Sequence, residues 1–497
     1  MMRRVRSGKQ KRIGIGPFFP VRIPRKGRLR LVLVVLLLAI GLKVFFGKAK
    51  KEHSQAAPVK QTSSTSVVSP ATVEHRSFFR FFKSPRTVAP SVKSFALSHG
   101  DVAALLRSAP LTFSTLSDSV IGGSAHYTVH YSLDTAVQNY GKKLLARYHP
   151  KYGAVVAMDP VSGRIQALIS YTREGETSLG DRLYCKSIFP AASVFKTVTA
   201  AGAIERGNIG PESTFALTGR RYTLYKFQLA PELHNGQEVT LEDAYSLSIN
   251  PIFGRIGIYV LGTAGLREYM RKFGFNESII FDLDNENPIA NEQISDSLLT
   301  IAETASGFNR VTKISPLFGA LIASSVAEKG KMPVPTLVDS VCFADLSLAY
   351  KVSPSVLRTP IKESTAQRLK ELMSCVVQRG TARKAFTYAR RSACFDNIEY
   401  GGKTGSVDDE TLGKIDWFIG FACGTDQGEK RRIAVGVVTV HDEFWTVHSS
   451  FIGEELFRTY FRGIHPAAKS KRHIDTTTRE TIVQDTVTEG EESDTNE

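Results

Sequence analysis

Phe189-Pro190-Ala191-Ala192-Ser193-Val194-Phe195-Lys196 is the stretch on which the fold turns. A proline followed by alanines and then an apolar-periodic run marks a helix N-terminus, and the pattern predicts a helix over 191–206. Ser193 and Lys196 lie three apart, on one face of that helix and within one turn. A serine hydroxyl is a poor nucleophile at neutral pH. A lysine amine beside it can take its proton once desolvation or another cation has lowered the amine's pKa. The helix N-terminus adds N–H groups and a positive dipole end, both suited to a developing oxyanion. Alone, the same spacing also describes a capped helix with a surface lysine.

Two further stretches bear on the choice. Ser248-Ile249-Asn250 follows an apolar-periodic run over 241–247 and precedes Pro251. The residue before a proline is pushed out of helical geometry, so the helix should end there, with Ser248 and Asn250 on a loop. A second hydroxyl can relay a proton, and an asparagine amide both donates to and accepts from a peptide bond. The third stretch is Gly401-Gly402-Lys403-Thr404-Gly405-Ser406, followed by strand-like residues. Its glycines let a substrate backbone approach closely. Lys403 brings positive charge, Thr404 and Ser406 bring hydroxyls, and the set suits a carboxylate. Singly, the two stretches also read as a helix C-terminal turn and a glycine-rich turn with a solvated lysine.

Together and in this order, S-x-x-K, S-x-N and K-T-G resemble the active-site triplet of penicillin-binding proteins and serine β-lactamases. The two long gaps between them resemble those of the high-molecular-weight penicillin-binding proteins. Leu133-Asp134-Thr135-Ala136-Val137-Gln138, Asp159-Pro160-Val161-Ser162-Gly163, Ser315-Pro316-Leu317, Arg379-Gly380-Thr381-Ala382 and Asp416-Trp417-Phe418-Ile419-Gly420 are similar to phrases of the same family. The resemblance covers residues 125–465. It implies an α/β, β-lactamase/transpeptidase-like fold: a central antiparallel five-stranded sheet flanked by helices, plus an all-helical subdomain.

The resemblance also implies roles. Ser193 would be acylated by the D-Ala-D-Ala end of a peptidoglycan stem peptide, with Lys196 as general base and Ser248 as relay to the leaving amine. Asn250 would hold the peptide amide. Lys403, Thr404 and Ser406, with Gly405 between them, would hold the terminal carboxylate, and the N–H groups of Ser193 and Ser406 would form the oxyanion hole. An amine from a neighbouring stem would then take the acyl group, and β-lactams would trap Ser193. No cofactor and no metal is expected: the five cysteines make no C-x-x-C pair and the eleven histidines no H-E-x-x-H.

The local patterns around the triplet agree with an α/β domain. Strands are predicted over 128–133, 152–159, 164–171, 417–422 and 433–441, with Asp134 capping a helix through Leu144 and Leu145. Helical patterns occupy 241–260, 263–273, 297–305, 363–379 and 454–462. Strands from both ends of the domain should therefore share a sheet.

The flanks place the domain in the cell. Net charge is +16, but residues 1–30 alone carry eleven Lys and Arg and no acid, which leaves +5 for the rest. Such a tail argues against nucleic acid as partner and for a membrane. Residues 31–46 are apolar but for Lys43, about 24 Å of helix at ~1.5 Å per residue. They are read as an uncleaved signal anchor with the basic tail, 1–30, in the cytoplasm and the catalytic domain periplasmic. A cleaved signal peptide is disfavoured by Lys48, Lys50 and Lys51 where small residues would be needed. Residues 47–95 read as a juxtamembrane linker, 96–124 as a short N-terminal region and 466–497 as a disordered acidic tail. Before residue 125 there is no acidic motif of a glycosyltransferase domain. A single activity is thus expected, with a cell-wall synthesis complex containing a glycosyltransferase as partner. A D,D-carboxypeptidase or endopeptidase shares the motifs, and a serine β-lactamase would need a deacylating water for which no class A type glutamate motif is evident.

Overall fold

The computed structural model describes residues 96–107, 117–122 and 125–462, apart from Ser178, His234, Ala393, Cys394, Gln427 and Gly428. The expected tail, span, linker and acidic tail (1–30, 31–46, 47–95 and 466–497) lie outside the described residues. Among the described residues no helix is long and apolar enough to cross a membrane.

The core is a five-stranded antiparallel sheet built from both ends of the domain. Its strands are β3 (Tyr152–Met158), β4 (Ile165–Thr172), β7 (Ile398–Asp409), β8 (Gly413–Asp426) and β9 (Glu429–His441), in the order β7-β8-β9-β3-β4. β3 is buried at every position, which its apolar run Tyr152-Gly153-Ala154-Val155-Val156-Ala157-Met158 requires of a strand covered on both faces. A second sheet has the order β1 (Ser117–Gly122), β2 (Ala125–Tyr131), β5 (Val338–Phe343), β6 (Leu348–Lys351). β2 and β5 are partners more than 200 residues apart, a pairing no local pattern announces.

Helices cover both faces of the central sheet. On one face lie α2 (Thr135–Tyr148) and α10 (Ser449–Arg462). Asp134 caps α2 as expected, accepting from the N–H groups of Ala136 and Val137. On the other face lie α8 (Pro316–Ala327) and α9 (Glu363–Gln378). α8 is buried on all sides and almost wholly apolar, so it carries no amphipathic stripe for a sequence reading to find. It sits so close to the sheet that a Cβ on Gly436 would lie 2.1 Å from the Pro316 carbonyl oxygen.

The remaining helices form a helical subdomain around α3 (Lys196–Gly207), whose first nine residues are all buried. These are α4 (Leu241–Ser246), α5 (Asn250–Ile256), α6 (Gly262–Phe273) and α7 (Leu298–Ser306); α1 (His99–Arg107) belongs to the N-terminal region. Two local expectations need correcting. The helix predicted over 191–206 begins as a 3₁₀ turn, Ala192–Phe195, before α3. The pattern over 241–260 is broken at Ser248, whose φ is +57°, and Asn250 opens α5 rather than lying on a loop. The glycine-rich stretch, for which a turn with a solvated lysine is the second reading, is the middle of β7 with Lys403 buried: pairing with residues 413–424 of β8 overrides the poor strand propensity of its glycines.

Candidate active site

Strand alternation splits the K-T-G-S stretch between the two faces of β7. Lys403 and Gly405 pair with Ile419 and Trp417 and face the helical subdomain, while Thr404 and Ser406 pair with Phe418 and Asp416 and face the other way. β7 is an edge strand, and its free side borders the nucleophile turn. A Cβ on Gly405 would lie 3.1 Å from the backbone nitrogens of both Ser193 and Val194. A side chain there would push strand and turn apart by a few tenths of an ångström. The turn is held in place by Trp417, whose indole N–H donates to the Pro190 carbonyl at 2.8 Å. Ala192 has a φ of +48°, in the left-handed region that favours glycine, and its carbonyl oxygen packs against Gly307, where an added Cβ would lie 1.9 Å from it. The chain thus carries Ala192 in a backbone conformation that glycine would adopt without strain.

Lys196 is fully buried, and its Nζ lies 2.7 Å from each of Ser193 Oγ, Asn250 Oδ1 and the Ser306 carbonyl oxygen. Burial, and then the nearby charge of Lys403, pull its pKa well below the usual lysine range. A neutral amine has two N–H donors and one lone pair. Asn250 and Ser306 present two acceptors for those donors, which leaves the lone pair for the Ser193 proton. The Phe253 ring, 5.7 Å from Nζ, closes the apolar side.

Lys403 is the second buried lysine. Its Nζ donates to Ser248 Oγ and to the Thr404 carbonyl, both at 2.9 Å, and burial pulls its pKa down to about 7. Ser248 thereby lies between a second amine and the cleft. Asn250 donates its amide N–H to the Tyr222 carbonyl at 2.8 Å, which orients Oδ1 toward Lys196. Ser193, Lys196, Ser248, Asn250, Lys403, Thr404, Gly405 and Ser406 are thus brought together from three separate parts of the chain.

The cleft over Ser193 holds about 390 Å³ and is lined also by Tyr222, Phe308, Thr381, Asp416, Trp445 and His448. None of these stood among the expected site residues. Thr381 and Asp416 had a signal, since both lie in the family-like phrases Arg379-Gly380-Thr381-Ala382 and Asp416-Trp417-Phe418-Ile419-Gly420. Thr381 places its hydroxyl 2.6 Å from that of Thr404, while its N–H donates to the Ser246 carbonyl at 3.0 Å. Tyr222, Phe308, Trp445 and His448 lie in irregular segments with no pattern of their own. Among the described residues no group of three or more His, Cys, Asp or Glu side chains is placed to hold a metal ion.

Comparison with known proteins agrees with this geometry. The family described as penicillin binding protein transpeptidase domain matches residues 153–460. The peptidoglycan D,D-transpeptidase PbpA of Mycobacterium tuberculosis (strain ATCC 25618 / H37Rv) is 24% identical over 410 residues, 73% of this chain and 79% of that protein. Stage V sporulation protein D of Bacillus subtilis (strain 168) is 25% identical over 338 residues, 62% of this chain; the match spans about half, 49%, of that relative's length. Among solved structures, the D,D-transpeptidase domain of a peptidoglycan glycosyltransferase from Eggerthella lenta superposes with a TM-score of 0.55 at 26% identity, covering 67% of this chain and 83% of that one.

Proposed function

The chain belongs to the penicillin-binding protein transpeptidase family, and from that premise we propose that it is a serine D,D-transpeptidase that cross-links peptidoglycan stem peptides through an acyl-serine intermediate. The observation that carries this reading is the Lys196 amine: fully buried, with two acceptors for its N–H groups and Ser193 Oγ 2.7 Å away.

The donor stem lies along the free edge of β7, its D-Ala-D-Ala carbonyl over Ser193. Ser193 Oγ attacks that carbonyl as its proton passes to Lys196 Nζ, and the oxyanion is met by the N–H groups of Ser193 and Ser406. Collapse breaks the peptide bond. The leaving D-Ala amine takes a proton from Ser248, which Lys403 can resupply across 2.9 Å. An amine of a second stem then attacks the ester; its proton passes through Ser248 to Lys403, Lys196 returns a proton to Ser193 Oγ, and the cross-link forms as the serine leaves. A β-lactam opens on the same serine and stays there. We place the enzyme at the cytoplasmic membrane, single-pass through residues 31–46 with the domain outside, beside a glycosyltransferase that supplies the glycan strands.

The test is acylation of the full-length chain by a fluorescent penicillin, beside Ser193→Ala. A persistent label on the wild type, absent from the variant, is expected. Rapid loss of the label would move the reading to a β-lactamase, and no label on either would overturn it. Cross-linked product from a stem-peptide donor and an amine acceptor separates transpeptidation from carboxypeptidase action, which yields only the shortened stem. Membrane attachment is read by fractionation of cells, where deletion of 31–46 should release the protein.

A further inference from the structure

Ser406 is expected to help hold the substrate's carboxylate, yet its hydroxyl is engaged elsewhere. It donates to Asp416 Oδ1 at 2.9 Å. Asp416 is buried directly across the β7–β8 pairing from Ser406. Its Oδ2 accepts the Ser449 N–H at 2.6 Å, and its own backbone carbonyl accepts from Ser449 Oγ at 2.8 Å. His448 Nδ1 stands 3.5 Å from the same Oδ2, and its ring leans on Trp445 with centroids 5.5 Å apart. Ser406, Asp416, Trp445 and His448 all line the cleft that contains Ser193.

An ionised carboxylate has no proton to give. Ser406 therefore turns its lone pairs, not its proton, toward the cleft, with a negative charge behind it. Asp416 repels a carboxylate arriving there while Lys384 on the cleft wall attracts it, and a cation set against Asp416 tips that balance and loosens its hold on the hydroxyl.

We propose that Asp416 and His448 are a protonation-dependent positioning pair for the carboxylate end of the cleft. With imidazolium against Asp416, the Ser406 hydroxyl is released to donate to the incoming carboxylate. With neutral imidazole it stays on Asp416, and the anion binds more weakly. The inference rests on the transpeptidase reading and names a determinant of that site's substrate affinity.

The charged and titratable groups around His448 fit this role. Asp416 faces it from β8, His441 from β9, and Lys384 from the helical turn that follows α9. Burial pulls His441 down to about 4, so it brings no charge. Burial and Lys384 work against a charged His448, but Asp416 outweighs them and leaves its pKa above the ordinary imidazole value. The imidazolium is then present through about pH 6.5 and is lost as pH rises past the raised pKa.

The experiment measures acylation of the full-length chain by a fluorescent penicillin that carries its carboxylate, from about pH 5.5 to about pH 9. Wild type, Asp416→Asn and His448→Gln are compared, with binding affinity and acylation rate constant separated. The rising limb from Lys196 and any limb from Lys403 belong to all three proteins, so differences between them isolate the pair. In Asp416→Asn the alkaline fall due to His448 should vanish, and affinity at about pH 9 should exceed wild type by on the order of tenfold. His448→Gln should bind on the order of tenfold more weakly than wild type near pH 6 and equal it near pH 9. If Asp416→Asn does not fold, His448→Gln decides alone. Profiles of the variants that superimpose on wild type would overturn the proposal while leaving the transpeptidase reading intact. A wild type without Ser193-dependent label would overturn both.

Discussion

Lys196 carries the chemistry of the cleft because its surroundings favour the neutral amine over the ammonium. Burial lowers its pKa, and Lys403 pushes in the same direction. The neutral amine is the active form of the base, so acylation should rise as pH increases through the lowered Lys196 pKa. In Lys196→Ala the base is gone while Ser193 keeps its turn, and the acylation rate should fall roughly 10²–10⁴-fold in a stopped-flow labelling assay. Gly405 tests position rather than chemistry. A Cβ there meets the Ser193 and Val194 nitrogens at 3.1 Å, closer than an ordinary contact, and one side of the clash is backbone. Gly405→Ala should part β7 from the nucleophile turn. A displacement of a few tenths of an ångström at the reacting centre should cost less than the ~10² in rate of a 1 Å misplacement, while the melting temperature, which reports the whole core, should move little.

At the scale of elements, α1 carries two ion pairs: an exposed one at its C-terminal end, Arg107 Nε to Asp284 Oδ1 at 2.9 Å, and a buried one at its start. His99 Nε2 lies 2.8 Å from Asp282 Oδ1, and Asp282 is buried with its other oxygen accepting from Thr336 Oγ1 at 3.0 Å and from the Val338 N–H at 2.9 Å. The neighbouring Asp282 raises the His99 pKa above its ordinary value against the opposing effect of burial. A histidine whose folded pKa exceeds its unfolded one stabilises fully below the unfolded value, about 6.5, and loses that contribution as pH rises through the folded value. Wild type and His99→Gln should therefore differ most in thermal stability below about pH 6.5 and converge at alkaline pH. Asp282→Ala should cost more, about 3 kcal/mol, because it strands the Leu337 and Val338 N–H groups as well as His99. Denaturant melts of the two variants check the order.

At the scale of the whole molecule, the N-terminal region is part of the folded domain through the second sheet. β1 pairs with β2, and β2 pairs with β5 from beyond residue 337. Val102, Leu105, Leu106 and Val120 are all buried members of the common hydrophobic core. A chain lacking residues 96–122 should expose those contacts and leave β2 as a bare edge strand. Limited proteolysis should then cut near the 338–351 hairpin well before it does in the full-length chain. The central sheet depends on less local information still: β9 joins β3 across the intervening residues 159–428, and Ser193 and Ser406 are neighbours only because that sheet has formed.

The sequence alone determined the class of the fold and pointed to the three motifs around which the site is built. S-x-x-K, S-x-N and K-T-G are short, ordered signals whose chemistry is carried by side-chain type, and the buried strands β3 and β9 are apolar enough to be read from one segment each. The Asp134 cap was legible for the same reason: a cap is a bond between residues two and three apart. Tertiary structure decided what depends on contacts distant in sequence. It made a glycine-rich stretch into β7 by pairing it with β8, and it buried α8 on every side, so that no amphipathic period remained to be seen. It joined Thr381 to Thr404, and it set Asp416 and His448 behind Ser406. The lowered pKa of Lys196 belongs there too, since desolvation is a property of the closed interior and not of the four residues that spell the motif.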